Sequence, residues 1–373
     1  MQKGKFNVVT DGQYGSTGKG HVSSALVHQF KPEILTNTNM ANAGHTAVAP
    51  DGRKFVSKAL PAPAIMRKWL ENYDPTIIMG STSAFKIETL TSELDQIGHD
   101  AKVLIHDRAA VITKEHQERE ASGSDSTKHV ASTMQGCATC LSDKIIRKPG
   151  VKLARDYPEL ANRLASAHCE GLTVPEYLTT MMRGGFTALH EGSQGFGLDI
   201  NHGSHYPNCT SRSTTAIQNL SDMGLPHQFM GDVYLVLRCH PIRVGNVIED
   251  GKVVGYSGDC YPDQQELTID QIAADCGAPV DVIKGIEITT VTKRQRRMFS
   301  FSTQQAKQAA LSNGATKLVL TFVNYIDWSC YGIKEYGRLP DKVKAFVSKI
   351  EDELRLPVVM VGTGPSYDDV CLV

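Results

Sequence analysis

Residues 12–20 read Gly12-Gln13-Tyr14-Gly15-Ser16-Thr17-Gly18-Lys19-Gly20 and follow the mostly apolar run Phe6-Asn7-Val8-Val9-Thr10. A strand that enters a loop of glycines and one lysine, with a helix after it, lets backbone N–H groups converge on phosphate, and Lys19 adds positive potential. The spacing differs from the common P-loop, which has four residues between its glycines and Ser or Thr after the lysine. Here five residues separate Gly12 from Gly18, and Gly20 follows Lys19. Asn42-Ala43-Gly44-His45-Thr46 sets an imidazole beside a glycine, so that ring and backbone carbonyl can reach one ligand; a surface loop is the plainer reading of that segment alone. Glu191-Gly192-Ser193-Gln194-Gly195 offers an amide that can read a base edge, with an ordinary glycine-rich turn as the competing reading.

Residues 293–297 hold four cations, Lys293, Arg294, Arg296 and Arg297. Arginine forks match carboxylate and phosphate bidentately, and the near-neutral overall balance favours a local anion clamp over a nucleic-acid patch. Thr321-Phe322-Val323-Asn324 and Gly362-Thr363-Gly364-Pro365 stand at strand ends, where a base or sugar is read. Cys137-Ala138-Thr139-Cys140 has CxxC spacing, but no second CxxC accompanies it, so neither zinc nor redox chemistry is expected.

These segments need a scaffold, and the pattern predicts one. Short β-rich runs recur at 6–10, 34–37, 76–79, 103–105, 187–190, 234–237, 317–323 and 358–361. Helical periodicity marks 85–97, 303–311 and 340–354. Buried strands alternating with helices predict an α/β fold: a large, mostly parallel central sheet flanked by helices, with a P-loop-like phosphate loop and inserted loop and helical subregions. The whole chain, 1–373, reads as a single domain. Ligands in such sheets sit beyond the carboxyl ends of the strands. Residues 122–149 are polar with no clear period and read as a loop.

The net charge of −1 speaks against general nucleic-acid or anionic-membrane binding. No apolar stretch approaches the ~20 residues of a membrane span. No secretory signal is visible ahead of the first strand, and nine scattered cysteines read as reduced thiols, so a cytoplasmic protein is expected.

Taken together and in order, the segments from Val8 to Pro365 resemble the adenylosuccinate synthetase family. The family's Gln-Trp-Gly-Asp-Glu-Gly-Lys-Gly corresponds to Gln13–Gly20, its Asn-Ala-Gly-His-Thr stands intact at 42–46, and its Glu-Gly-Ala-Gln-Gly is 191–195 with Ser193. Thr214-Thr215-Ala216, Arg243-Val244-Gly245, the arginine loop 292–297 and Gly362–Pro365 match in turn. The resemblance implies a Mg²⁺-dependent ligase that phosphorylates O6 of a purine nucleotide and lets aspartate displace the phosphate. It implies His45 at O6, Lys19 on the donor phosphates with Thr17, Gly18, Gly20, Gly44 and Thr46, and Ser16 and Gly44 near the metal. Asn42, Ala43, Thr133, Gln194, Thr210, Val244 and Arg294 fall at acceptor-nucleotide positions. Arg147 falls at that of an arginine reaching the partner's site in a homodimer. Thr292, Arg294 and Arg296 match the aspartate clamp, Arg296 also reaching the donor, and Asn324, Gly362, Gly364 and Pro365 the donor base and sugar.

Two departures redirect the substrates. Ser16 replaces the family's catalytic Asp, which leaves room at the N1/C2 edge for a 2-amino group. Asn324 replaces the Asp that reads guanine, and a carboxamide with one acceptor and two donors suits adenine. Both changes resemble the phage-type branch of the family and imply dGMP as acceptor, L-aspartate, and ATP or dATP as donor, in the host cytoplasm and without membrane or nucleic-acid partners. Two alternatives stay open: an enzyme still acting on IMP with GTP, and a non-catalytic nucleotide-binding regulator.

Overall fold

The computed structural model describes residues 1–122, 127–169, 171–289 and 293–373. Thr292, one of the expected aspartate ligands, lies outside them. Nine strands form one sheet in the order 370–372, 358–362, 317–321, 230–238, 6–11, 188–191, 34–37, 76–79, 103–105. Every neighbouring pair is parallel except the edge pair of Val358–Gly362 with Val370–Leu372. The Phe6–Asp11 strand lies between Met230–Arg238 and Ala188–Glu191 and is buried along its whole length, the signature of a strand covered on both faces.

Helix Lys19–Phe30 starts where Gly18 adopts φ 86°, a left-handed conformation that glycine takes without a Cβ penalty. Helix Thr303–Asn313 is capped by Ser302, whose hydroxyl accepts the Gln305 N–H at 2.9 Å, and ends at Gly314 with φ 59°. Helices Ile87–Ile97 and Asp341–Leu354 bury Leu90, Leu94 and Ile97, and Val343, Val347 and Ile350, spaced three or four residues apart. Among the described residues no helix is long and apolar enough to cross a membrane.

Several segments depart from the sequence pattern, among them the strand expected at 234–237, which runs Met230–Arg238. The strand expected at 187–190 is Ala188–Glu191, which puts Glu191 at its carboxyl end. The strand expected to run to 323 stops at Thr321, because Phe322 turns to φ 57°. The polar stretch 122–149 is not simply a loop: a helix spans Cys137–Ile145. Its buried face is Cys137, Cys140 and Leu141, packed with Met40, Ala84 and Ile112. Thiols supply the apolar period there, and burial pushes both thiol pKa values up to about 12, as for inert core cysteines.

Burial also depresses three imidazoles: His190 to about 3, His21 and His240 to about 4. The unfolded chain protonates these side chains near pH 6.5 and the folded chain does not, so stability held above that pH is lost as pH falls toward 4. Urea unfolding at pH 5 is expected to show stability lower than at pH 7.5 by about 2 kcal/mol for each such histidine. A midpoint that holds or rises on acidification would contradict this burial.

Candidate active site

The carboxyl end of the central strand carries Asp11, 1% exposed. Its Oδ1 accepts the Gln13 N–H at 2.7 Å, and its Oδ2 accepts the Thr17 hydroxyl at 2.7 Å and Lys19 Nζ at 3.0 Å. Lys19 Nζ also donates to the Gln194 carbonyl at 2.6 Å. One buried carboxylate therefore shapes the phosphate loop and ties it to the Glu191–Gly195 loop. That contact needs Gly195: a Cβ there would lie 2.5 Å from the Gln13 carbonyl oxygen and 2.6 Å from the Gly15 nitrogen. Gly20 is equally constrained, since a Cβ would lie 2.6 Å from the Thr46 carbonyl oxygen, so helix Lys19–Phe30 lies directly on the His45 segment.

His45 opens the hairpin of Val48 with Lys54 and is 7% exposed. Its Nδ1 is hydrogen-bonded to Glu191 Oε1, and Glu191 Oε2 accepts the Ser23 hydroxyl at 2.5 Å. Burial acts to raise the Glu191 pKa, but His45 and Ser23 hold it below the ordinary carboxylate value. An anionic Glu191 fixes the Nδ1–H tautomer by this network and leaves Nε2 as the ring atom for a ligand.

The walls are held in the same manner. Gln194, at φ 63°, donates from Nε2 to Asn42 Oδ1 at 2.9 Å. Asp199 accepts the N–H groups of Asn201 at 2.8 Å and Thr214 at 2.5 Å and the Ser213 hydroxyl at 2.7 Å, closing the loop that carries Thr210. The Thr210 N–H is spent on the Leu198 carbonyl at 2.7 Å, while its buried hydroxyl has no partner among the described residues. Glu120, 4% exposed, accepts the Ser132 hydroxyl at 3.1 Å and the Gly136 N–H and so orders the segment bearing Thr133.

These elements enclose a cavity of about 590 Å³. Of the residues singled out by sequence, Ser16, Thr17, Gly18, Lys19, Gly20, Asn42, Ala43, Gly44, His45 and Thr46 line it, with Thr133, Gln194, Thr210, Val244 and Arg296. Arg294, Asn324, Arg147, Gly362, Gly364 and Pro365 do not. Arg294 spends its guanidinium on carbonyls, Gly245 at 2.9 Å, Ala131 at 3.2 Å and Ser132 at 3.4 Å, and so bridges two walls. Asn324 is 5% exposed in a short turn after Phe322. Gly362 nonetheless adjoins the phosphate loop's helix, since its Cβ position lies 3.2 Å from the His21 ring and 3.5 Å from Thr321. Arg147 is exposed beside Ile145 and Ile146, which are 72% and 62% exposed.

Sequence reasoning passed over Asp11, Glu120, Arg238 and Glu287 as functional residues. A signal existed for Asp11, a carboxylate at a strand's end directly before a glycine. None existed for Glu120 or Glu287, whose partners lie on other segments. Asp11→Asn leaves Lys19 buried against a neutral partner, and breaking a buried pair costs about 3–5 kcal/mol. Denaturant unfolding of this variant is expected to show such a loss together with loss of nucleotide binding; near-wild-type stability would refute the pair's role.

The Adenylosuccinate synthetase family model matches residues 8–173 and 151–329. A relative from Vibrio phage phiVC8, an N6-succino-2-amino-2'-deoxyadenylate synthase, is 36% identical over 379 residues, covering 98% of this chain and 97% of its own. The solved cyanophage S-2L succinoaminodeoxyadenylate synthetase, bound to dGMP and to dATP as an energy donor, superimposes with a TM-score of 0.80 at 31% identity over 98% of this chain and 94% of that one. The fully ligated adenylosuccinate synthetase of Plasmodium falciparum has the same fold, with a TM-score of 0.75 at 20% identity over 98% and 99% of the two chains. With its phosphate loop, its His45 hairpin and Arg296 lining one cavity, and with the family model and full-length relatives matched, this chain belongs to the adenylosuccinate synthetase family of C–N ligases.

Proposed function

We propose that this enzyme joins L-aspartate to C6 of dGMP with ATP or dATP as phosphoryl donor, giving N6-succino-2-amino-2'-deoxyadenylate. The observation that carries the reading is Ser16, a small neutral side chain exposed on the cavity wall where the family has Asp. The nucleotides bound to the cyanophage S-2L relative support the same pair of substrates. The purine O6 attacks the γ-phosphorus as ADP or dADP departs and the N1 proton is released. The aspartate amine then adds at C6, loses a proton, and expels phosphate with the O6 oxygen. Of this chain's residues, His45 presents Nε2 to O6, its ring oriented by Glu191 at Nδ1. Lys19 and the amides of residues 17–20 take the donor phosphates, with Thr46 beside them. Asn42, Ala43, Thr133, Gln194, Thr210 and Val244 hold the acceptor.

Arg296 takes the aspartate carboxylates together with Thr292, and Arg294 acts beside the ribose. Asn324 reads the adenine of the donor, with Gly362, Gly364 and Pro365 around its base and sugar. Arg147, preceded by two exposed isoleucines, serves the site of a second copy in a homodimer. Among the described residues no cluster of three or more His, Cys, Asp or Glu side chains forms a metal cage. The Ser16 hydroxyl and Gly44 carbonyl are hard, neutral oxygens on the cavity wall, a donor set that fits Mg²⁺ shared with phosphates and water. Bound there, Mg²⁺ would neutralise phosphate charge. The host cytoplasm is the compartment this reading assigns.

The test crosses IMP, GMP and dGMP with GTP, ATP and dATP in the presence of Mg²⁺ and aspartate, with products read by mass spectrometry. Succinylated product from dGMP and an adenine donor is expected, and product only from IMP with GTP would overturn the reading. Ser16→Asp is expected to depress dGMP turnover relative to IMP. Arg296→Ala removes a charge-assisted pair of about 1.5–3 kcal/mol and should raise the aspartate KM about 10- to 150-fold.

A further inference from the structure

Glu287 is fully buried and joins two arginines. Its Oε1 accepts Arg238 Nη2 at 2.6 Å and the Tyr325 hydroxyl at 2.9 Å, and its Oε2 accepts Arg296 Nη1 at 3.2 Å. Its carbonyl accepts the Arg296 N–H at 2.9 Å and Gln295 Nε2 at 2.6 Å. Arg238 is fully buried as well; its Nη1 donates to the Ser16 carbonyl at 3.3 Å, and its guanidinium stands 3.9 Å from the centre of the Phe322 ring. The Gln13 side chain brackets the Arg238 backbone, accepting its N–H and donating to its carbonyl, both at 3.0 Å. Burial acts to raise the Glu287 pKa, but the two guanidiniums hold it below the ordinary carboxylate value, so it is an anion.

We propose that Glu287 is a positioning residue that fixes the carboxylate-binding Arg296 and the phosphate-loop peptide at Ser16 in one register. The proposal rests on the reading of Arg296 as an aspartate ligand. Arg296 Nη1 is occupied by Glu287 and by the Ile286 carbonyl at 3.2 Å, whereas its buried Nε has no partner among the described residues. A guanidinium held by one Nη offers its Nε–Nη2 edge, the side-on fork that matches a carboxylate. Arg238 carries the link onward to Ser16. Two guanidiniums against one carboxylate leave a single positive charge, which an incoming carboxylate would balance. Removing Glu287 leaves two cations facing each other in a low-dielectric interior, so both must shift.

Glu287→Gln keeps the shape and removes the charge. The expected result is an aspartate KM raised about tenfold or more, with dGMP affinity by direct titration within about twofold of wild type. Amide exchange should quicken in two separate places, residues 284–289 with 293–297 and residues 13–18, and not across 127–136. Tyr325→Phe deletes only one donor to Glu287 and guards against a misfolded Gln variant; it should raise the aspartate KM about two- to threefold while thermal unfolding stays a single cooperative transition at a lowered midpoint. An unchanged aspartate KM in both variants would overturn the proposal, as would faster exchange confined to one loop or spread over the whole chain. Wild-type turnover tests the functional reading separately. If wild type uses another acceptor or donor, the same KM comparison is made with that pair, and the exchange experiment needs no substrate.

Discussion

The site is organised by the carboxylate of Asp11 against Lys19. A strand buried on both faces cannot end in an unpaired charge, and the cation that pairs with Asp11 is supplied eight residues later by the first turn of the next helix. The loop between them is pinned at Gln13 and Thr17 by the same two oxygens. Its amides are therefore arranged before any phosphate arrives, which lowers the ordering cost of binding. Because Lys19 also donates to the Gln194 carbonyl, the phosphate loop and the Glu191–Gly195 loop are tied together.

The same device recurs around the cavity at a buried acid from each wall. Glu191 fixes His45, Asp199 closes the Thr210 loop, Glu120 orders the Thr133 segment and Glu287 holds Arg296. Each acid takes donors from one or more segments distant in sequence, so loops without regular secondary structure acquire single conformations. A cavity walled by loops needs this. Loops lack the internal ladders of helices and strands, and their backbone groups must find partners elsewhere. In exchange the side chains that face a ligand are free to be small or neutral, as Ser16, Ala43 and Gly44 are.

Much of this was legible in the sequence, and the limits have physical causes. Strands 34–37, 76–79 and 103–105 were read with their observed bounds because each is a short run carrying consecutive large apolar residues, Ile34-Leu35, Ile77-Ile78-Met79 and Val103-Leu104-Ile105, all buried. Helix Cys137–Ile145 was missed because Cys137, Thr139, Cys140 and Asp143 are buried alongside Leu141, so a polar composition hid a real period. The strand at 317 was read two residues too long because Phe322 and Val323 fit a strand pattern, and only the positive φ of Phe322 ends it. The groups facing the cavity were found partly from the glycine-rich motifs, as at 12–20 and 42–46, and partly, as for Thr133, Thr210 and Val244, only through the family resemblance. The acids behind them were not, since pairs such as Glu191 with His45 and Glu287 with Arg238 lie 146 and 49 residues apart.

The backbone at Ser16 is set by contacts other than those of its own side chain. Its φ of 54° lies in the left-handed region, where Asn and Asp are favoured over Ser. Local preference alone would therefore retain the family's Asp at this position. The conformation persists because its neighbours dictate it: the Ser16 carbonyl is held by Arg238, and Thr17 is held by Asp11. Neither contact involves the Ser16 side chain. The loop's shape is thus independent of the side chain at this position, and a change of that side chain leaves the contacts made by Arg238 and Asp11 in place.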